Sequence, residues 1–325
     1  MTDSKKNFDE IYSSDKPVKT SPFADYFNQK FREDISDMKN YSNRKTGFEN
    51  VDRLQTFSPG LYVLGGLPAL GKTSFVWQLL EQLARNGEKC ICCSYEMSEF
   101  ELFSKSFARA LFIRDGKKAI TSAGIRRGEQ SDSFSDIWEE FKTSSVDLNV
   151  MELHEHDIDE LLTELKKYCD KKPPVIALDY LQIIPFKNKD VSAKQAVDDV
   201  VRKLKNFQRT TGTTFIVISS FNRQNYSQPV AFESFKESGN IEYSADVVWG
   251  LQLYMEKNFH DSSISKNREL IEQAKLASPR QVQLCCLKNR QGANYNCFFN
   301  YYPANDCFVP CNEDEFKKTT TRFKG

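Results

Sequence analysis

Residues 66–73, GLPALGKT, constrain the fold of this chain more than any other segment. They match the pattern G-x-x-x-x-G-K-S/T and lie between an apolar run, residues 61–64, and a helical pattern. Glycines let backbone N–H groups curl around phosphate oxygens, and the N-terminus of the following helix adds positive potential. The pattern therefore predicts a nucleoside-triphosphate site in a strand–loop–helix unit. Its expected binding residues are Gly66, Leu67, Pro68, Ala69, Leu70, Gly71, Lys72, Thr73 and Ser74.

Short apolar runs alternate with helical patterns along the chain, which is typical of βαβ units and a parallel sheet. Runs such as VIAL and FIVI are apolar throughout, as strands buried on both faces require. Ser98, Asp157 and Ser192 are predicted helix caps. The fold class is therefore α/β with a mostly parallel central sheet. We predict strands at residues 61–64, 90–94, 148–153, 175–178, 214–218 and 247–253, and antiparallel strands at residues 282–287 and 296–301.

The composition excludes some classes of protein. Forty-five basic residues balance forty-five acidic ones, which excludes a chain held to nucleic acid by its overall charge. The nine cysteines are odd in number, and we expect them to be reduced, buried thiols of a cytosolic protein. No apolar run approaches about 18 residues, the length of a membrane span. We therefore expect a soluble, cytoplasmic protein without a membrane partner.

The pattern along the chain divides it into three segments. Residues 1–20 are polar and charged, and we expect them to be disordered. Residues 21–45 are predicted to carry one amphipathic helix, which must bury its apolar stripe on its own domain or on a neighbouring subunit. The stripe consists of Phe23, Tyr26, Phe27, Phe31, Ile35 and Met38. Residues 46–325 form the main domain, with a polar insertion expected at residues 256–280.

Two carboxylates follow predicted strands. Asp179 ends the run VIAL, where it could hold magnesium together with the Thr73 hydroxyl, while Lys72 would reach the β- and γ-phosphates. Glu96 follows the strand CICCS. From spacing alone it is either the base that polarises the attacking water or a solvated glutamate at a helix start. Of the other conspicuous residues, we predict Trp77, Trp138 and Trp249 in the core, and His154 and His156 at the surface.

Six motifs in order resemble those of the C-terminal motor domain of DnaB-type replicative helicases, within the RecA-like ATPases. They are TGFENVD (46–52), SYEMS (94–98), LDYLQ (178–182), SSFNR (219–223), the run at 237–246, and KNRQG (288–292). The resemblance extends from about residue 46 to residue 310. The chain departs from the family at Ser220, which stands where the family has a glutamine that senses the γ-phosphate. The family's N-terminal collar domain is not expected ahead of residue 46.

The resemblance implies a RecA-like core preceded by an amphipathic linker helix, with ATP and Mg²⁺ as ligands. It implies that Glu96 is the catalytic base and Asp179 the magnesium-binding acid. Lys288 and Arg290 correspond to the family's trans-acting lysine and arginine finger. It also implies a homo-oligomer, a hexameric ring assembled through the helix from Phe23 to Met38 and through Arg290. In such a ring, the linker helix contacts the adjacent subunit.

Single-stranded DNA is the partner that the resemblance implies, contacted by loops that face a central pore. The candidate loops are residues 185–191 and 222–237, with Lys187, Lys189, Arg223 and Lys236. The leading hypothesis is an ATP-hydrolysing DNA helicase motor that translocates on single-stranded DNA. The alternative is a nucleotide-controlled assembly or loading ATPase with slow turnover and no unwinding. A RecA-like recombination ATPase is disfavoured by the DYLQ and ESG runs.

Overall fold

The structure is a computed structural model that describes residues 22–144, 146–169, 172–186, 191–222, 228–236, 239–254 and 271–314. Its chain divides into two compact units, Met1–Ser42 and Asn43–Gly325. Several predictions lie outside the described residues. These are the disordered tail at 1–20, most of the insertion at 256–280, and the loop residues Lys187, Lys189 and Arg223.

The described part of the first unit, from residue 22 onward, contains two helices, α1 (Phe23–Gln29) and α2 (Phe31–Lys39). The prediction of one continuous helix is wrong, because the backbone at Lys30 leaves helical geometry at φ −124° and ψ −33°. At the break, the ring centroids of Phe27 and Phe31 lie 4.4 Å apart. Because neither helix has a buried residue, aromatic packing between neighbours supplies the local stabilisation.

In its described residues, the second unit is built on a nine-stranded sheet of order β3-β2-β4-β5-β1-β6-β7-β8-β9. The strands from β3 to β6 in this order pair in parallel, and β6 to β9 pair antiparallel. All eight predicted strands are confirmed, and β9 was not predicted. The strands are β1 (Leu61–Gly66), β2 (Cys90–Ser94), β3 (Leu148–Glu152), β4 (Val175–Asp179), β5 (Thr214–Ser220), β6 (Val247–Leu253), β7 (Arg280–Asn289), β8 (Asn296–Tyr302) and β9 (Cys307–Cys311).

Helices connect the parallel strands, as βαβ crossovers require. The helices of this unit are α3 (Glu49–Asp52), α4 (Lys72–Arg85), α5 (Glu99–Asp115), α6 (Ser122–Arg126), α7 (Phe134–Lys142), α8 (Ile158–Leu165), α9 (Ala193–Thr211) and α10 (Gly239–Ser244). Residues 271–276 are also helical. Ser98, Asp157 and Ser192 cap α5, α8 and α9 with full capping boxes, which confirms the predicted helix starts.

The core lies between the sheet and its helices, and it includes two of the three tryptophans predicted there. Trp77 and Trp249 are each 1% exposed. The prediction for Trp138 is wrong, since its side chain is 55% exposed. Ile137 of α7 packs on Phe107 and Leu111 of α5 in a small apolar cluster. Trp138 lies at the edge of the apolar stripe of α7, where its ring stacks on Phe134. Among the described residues, no helix is long and apolar enough to span a membrane.

Candidate nucleotide-binding site

The glycine-rich loop leaves β1 between its neighbours β5 and β6 and enters the first turn of α4. Gly71 adopts φ +92° at the helix start, a conformation that favours glycine. A Cβ atom there would lie 2.7 Å from the Tyr301 ring, so space as well as conformation excludes a side chain. The loop is thus shaped by its own glycine and by a tyrosine from β8. This arrangement confirms the predicted strand–loop–helix unit.

Lys72 is the first residue of α4 and lines the cavity beside the loop. Its ammonium donates to the carbonyl oxygens of Gly66 and Leu67, each at 3.1 Å. Burial lowers its pKa, while the carboxylates of Asp179 and Glu96 oppose that shift. A positive charge is therefore held between the loop and two acids, where it can bind phosphate oxygens.

Asp179 ends β4 at the same sheet edge as the loop, and its Oδ2 accepts a hydrogen bond from Thr73 Oγ1 at 2.7 Å. Burial raises its pKa to about 6, with Glu96 contributing in the same direction and Lys72 opposing. The carboxyl is still ionised at neutral pH. A hydroxyl and a carboxylate at this separation form an oxygen donor set of the kind that Mg²⁺ prefers, so these residues fit a magnesium ion.

Glu96 lies in a short turn between β2 and α5 that is fixed at both ends. The backbone N–H of Tyr95 donates to the Asp179 carbonyl at 2.9 Å, which extends the pairing of β2 with β4. Ser94 Oγ bonds both the N–H and the carbonyl of Met97. Ser98 then caps α5. The Glu96 carboxylate is exposed and lines the cavity, where it can reach a water at the phosphate.

These predicted residues surround one cavity of about 720 Å³. Its walls include the following predicted site residues: Pro68, Ala69, Gly71, Lys72, Thr73, Ser74, Glu96 and Asp179. Three predicted loop residues are not among its lining side chains. The carbonyl oxygens of Gly66 and Leu67 accept hydrogen bonds from Lys72, and Leu70 is fully buried.

Ser220, the departure from the family pattern, also lines this cavity. It ends β5 directly opposite Gly66. Gln182 fixes the end of that strand, because its Nε2 donates to Ser219 Oγ at 2.9 Å and its Oε1 accepts from the Ser220 N–H at 3.2 Å. The Lys236 N–H donates to the Ser220 carbonyl at 3.0 Å. A short hydroxyl side chain is therefore presented to the cavity by a firmly held backbone.

The sequence did not predict the part of the cavity wall that is formed by β7, by β8 and the turn after it, and by α5 and α6. Arg280 and Tyr301 are cross-strand partners on β7 and β8, and the Arg280 guanidinium donates to the Ala69 carbonyl at 2.7 Å. Predicting these two residues would have required the register in which β7 pairs with β8. The added lining residues include Lys105, Arg126, Arg280, Tyr301 and Asp306.

Lys288 and Arg290 are not brought to this cavity. Strand β7 begins with Arg280 beside the loop and runs antiparallel to β6, so its ten residues carry the chain about 30 Å away. Arg290, just past the strand, donates to the Tyr243 carbonyl at 2.8 Å and lies 3.3 Å from Asp246 Oδ1. Its side chain is 44% exposed. Within one chain, this arginine lies at the opposite edge of the sheet from the cavity.

A mostly parallel sheet with a glycine-rich loop after β1, an acid at the end of β4 and another in the turn after β2 defines an α/β domain of the RecA type. The family described as DnaB-like helicase C terminal domain matches residues 44–309, and the chain belongs to that family.

Relatives of this chain match most of its length at low sequence identity. The chain is 24% identical to a probable replicative DNA helicase of Trieres chinensis, over 79% of this chain and 57% of the relative. It is 23% identical to the replicative DNA helicase DnaB of Helicobacter pylori strain J99, over 85% of this chain and 63% of the relative. The chain thus spans about three fifths of the length of these relatives.

Two solved structures share the fold. One is an ATPase domain that aligns with a TM-score of 0.72 at 18% identity, covering 90% of this chain and all of that domain. The other is a DnaB-like replicative helicase, solved to describe its interactions with primase, which aligns with a TM-score of 0.69 at 19% identity. That second alignment covers 93% of this chain and 70% of the helicase.

Proposed function

We propose that the chain is an ATP-hydrolysing motor of a DnaB-like DNA helicase, which assembles as a ring and translocates on single-stranded DNA. The observation that carries the proposal is the convergence of Lys72, Thr73, Asp179 and Glu96 on one cavity in a member of this family. A cation, a hydroxyl and two carboxylates are the groups that phosphoryl transfer to water requires. The names of the relatives support DNA as the substrate and strand separation as the activity.

In this proposal each residue has a separate role. Lys72 leaves the Gly66 and Leu67 carbonyls and binds the β- and γ-phosphates. Thr73 and Asp179 hold magnesium, which supplies charge stabilisation to the phosphates when it is bound. Glu96 orients a water and accepts its proton. The anchored turn that carries Glu96 supports this role, because a base must be held in place to act efficiently.

Arg290 completes the proposed site from a neighbouring subunit. Its distance from the cavity of its own chain, set by the length of β7, supports action in trans over action in cis. Asp246 holds the guanidinium and also bonds Lys205 and the Leu61 N–H, so the arginine is anchored to the sheet. Lys288 lies on the same strand end and donates to the Glu242 carbonyl.

The DNA contact is proposed for the loops named from the sequence. Lys236 is exposed and follows Phe235, which forms an isolated β-bridge with Phe221 just after β5. Its backbone N–H also bonds Ser220, so this lysine is joined directly to a residue of the cavity wall. Repeated around a ring, such lysines would give a positive belt on an otherwise neutral protein.

Ser220 favours a second candidate function, a nucleotide-controlled assembly ATPase that unwinds nothing. The side chain lines the cavity but is shorter than the glutamine expected there from the family resemblance. A site that binds ATP without a long polar contact at the end of β5 could close a ring while turning over slowly.

One experiment separates the two functions. We would measure ATP turnover with and without single-stranded DNA, together with the mass of the assembly in each nucleotide state. A motor should form a ring and hydrolyse ATP several-fold faster with DNA. An assembly ATPase should form the ring but hydrolyse ATP slowly, at a rate that DNA does not change. Absence of ATP binding by the parent protein, with a Lys72→Ala control, would contradict both.

A further inference from the structure

Lys105 is a second lysine in the wall of the nucleotide cavity, and it comes from α5 instead of the loop. Its side chain is only 12% exposed. The ammonium lies 2.7 Å from Asp306 Oδ1 and 3.4 Å from Ser74 Oγ. Ser74 directly follows the proposed magnesium ligand in the first turn of α4, so the cation lies beside the helix end that faces the phosphates.

Asp306 fixes the position of this cation. It lies in the turn between β8 and β9 at φ +51° and is 3% exposed. Ser74 Oγ donates to its Oδ1 at 2.5 Å, and Arg109 Nη1 donates to its carbonyl oxygen at 2.8 Å. Its Oδ2 is buried without a hydrogen-bond partner among the described residues. The carboxylate thus joins three elements, α4, α5 and the β8–β9 turn, around one ammonium.

Lys105 shares the cavity wall with Lys72 and Asp179. Its contact with Ser74 Oγ places it beside the first turn of α4, the helix that begins with Lys72. Two ammonium groups converging on one cavity suit a ligand with more than one phosphate.

We propose that Lys105 is a second phosphate-binding lysine, whose ammonium contacts the nucleotide phosphate that faces Ser74, and that Asp306 is the residue that positions it. The proposal rests on the proposed nucleotide-binding function of the cavity. The contact involves a phosphate that ADP and ATP share, so both nucleotides need it equally. The competing interpretation is that Lys105 only neutralises the buried Asp306 carboxylate.

The test compares ADP affinity, by calorimetry, across matched neutral variants. Lys105→Met removes the cation, and the double variant Lys105→Met/Asp306→Asn removes both charges and leaves no buried carboxylate unpaired. The control is Lys203→Met/Asp199→Asn, which neutralises a lysine–aspartate pair on α9 outside the cavity. Thermal unfolding of each variant identifies any that fails to fold.

A contact with phosphate predicts ADP and ATP affinities about 10- to 100-fold weaker in both Lys105 variants, since charge-assisted hydrogen bonds are of that strength. The control pair should bind as the parent does. Recovery of parental affinity in the double variant would overturn the proposal. It would mean that the role of Lys105 is only to neutralise the buried Asp306 carboxylate. Parental affinity in Lys105→Met would overturn it as well.

The parent protein and Lys72→Ala distinguish failure here from failure of the proposed function. If the parent binds ADP, Lys72→Ala does not, and both Lys105 variants bind normally, then only the role of Lys105 is wrong. If the parent itself binds no nucleotide, both proposals are wrong.

Discussion

Asp179 lowers the stability of the fold, because the proposed site requires a charged carboxylate at a buried position. Its carboxyl is buried and its pKa is raised from 3.8 to about 6. Between these values the folded state binds more protons than the unfolded state. The stability of the folded state therefore falls as the pH rises through this window and stays low above it. A residue chosen only for stability would not be charged here.

Asp179→Asn should therefore stabilise the protein at neutral pH. The amide oxygen can keep the Thr73 hydrogen bond, and the buried charge is removed. From the shift, we expect a gain of roughly 3 kcal/mol in the free energy of unfolding at pH 8, and about half of that at pH 5. Denaturant unfolding at both pH values measures this. A gain that is equal at the two pH values, or a loss at pH 8, would contradict the assigned pKa.

Glu96→Gln should separate binding from chemistry. The amide cannot accept the proton of the attacking water, but it keeps the shape of the side chain in its anchored turn. We expect parental ATP affinity and a turnover number lower by about 100-fold or more. Calorimetry and a phosphate-release assay measure the two quantities. Turnover at the parental rate would mean that the base lies elsewhere.

At the scale of elements, patterns within short segments predicted most of what the fold contains. Strands buried on both faces are marked by continuous apolar runs, such as the first four residues of β4, and capping boxes mark three helices. The loop pattern, together with acids at the ends of two strands, predicted which residues meet at one sheet edge. This worked because parallel strands bring their carboxyl ends together.

Features that depend on contacts between distant segments were not predictable from the sequence. Lys105 and Asp306 meet only because the β8–β9 turn folds over α4. The exposure of Trp138 depends on which residues of α7 face α5. The break at Lys30 interrupts a pattern that is continuous at helical spacing. In each case, periodicity along one segment carries no information about the partner.

The capping box of α5 gives a prediction at this scale. Ser98 caps the helix two residues after Glu96, and Glu101 bonds back to the Ser98 N–H at 3.0 Å. Ser98→Ala should cost about 1 kcal/mol of stability and loosen the turn that carries Glu96. We expect a several-fold lower turnover number with unchanged ADP affinity.

Ser192→Ala is the matched control. Ser192 forms the same box with Gln195 at the start of α9, away from the cavity. It should lose a similar amount of stability without a loss of basal ATP turnover. If both variants lose turnover in equal measure, general destabilisation explains the effect and the turn has no special role. Chemical denaturation and steady-state kinetics at low temperature measure both quantities.

At the scale of the whole molecule, the position of Arg290 predicts that active sites are shared between subunits. Arg290→Ala should bind ATP nearly normally and hydrolyse it about 10³-fold more slowly or worse, because arginine fingers act on the transition state. Mixing it with Lys72→Ala should restore part of the activity, since a mixed interface can join an intact loop to an intact arginine. Mixtures no more active than the sum of the two variants would argue against a shared site.

The central claim, that this chain is a helicase motor driven by the described cavity, is tested most directly by strand displacement. The substrate is a forked duplex with a labelled strand, and displacement is followed over time with ATP. We predict ATP-dependent displacement by the parent protein and none by Glu96→Gln at equal DNA binding. ATP hydrolysis by the parent without displacement, under conditions in which a ring has formed on the DNA, would contradict the claim.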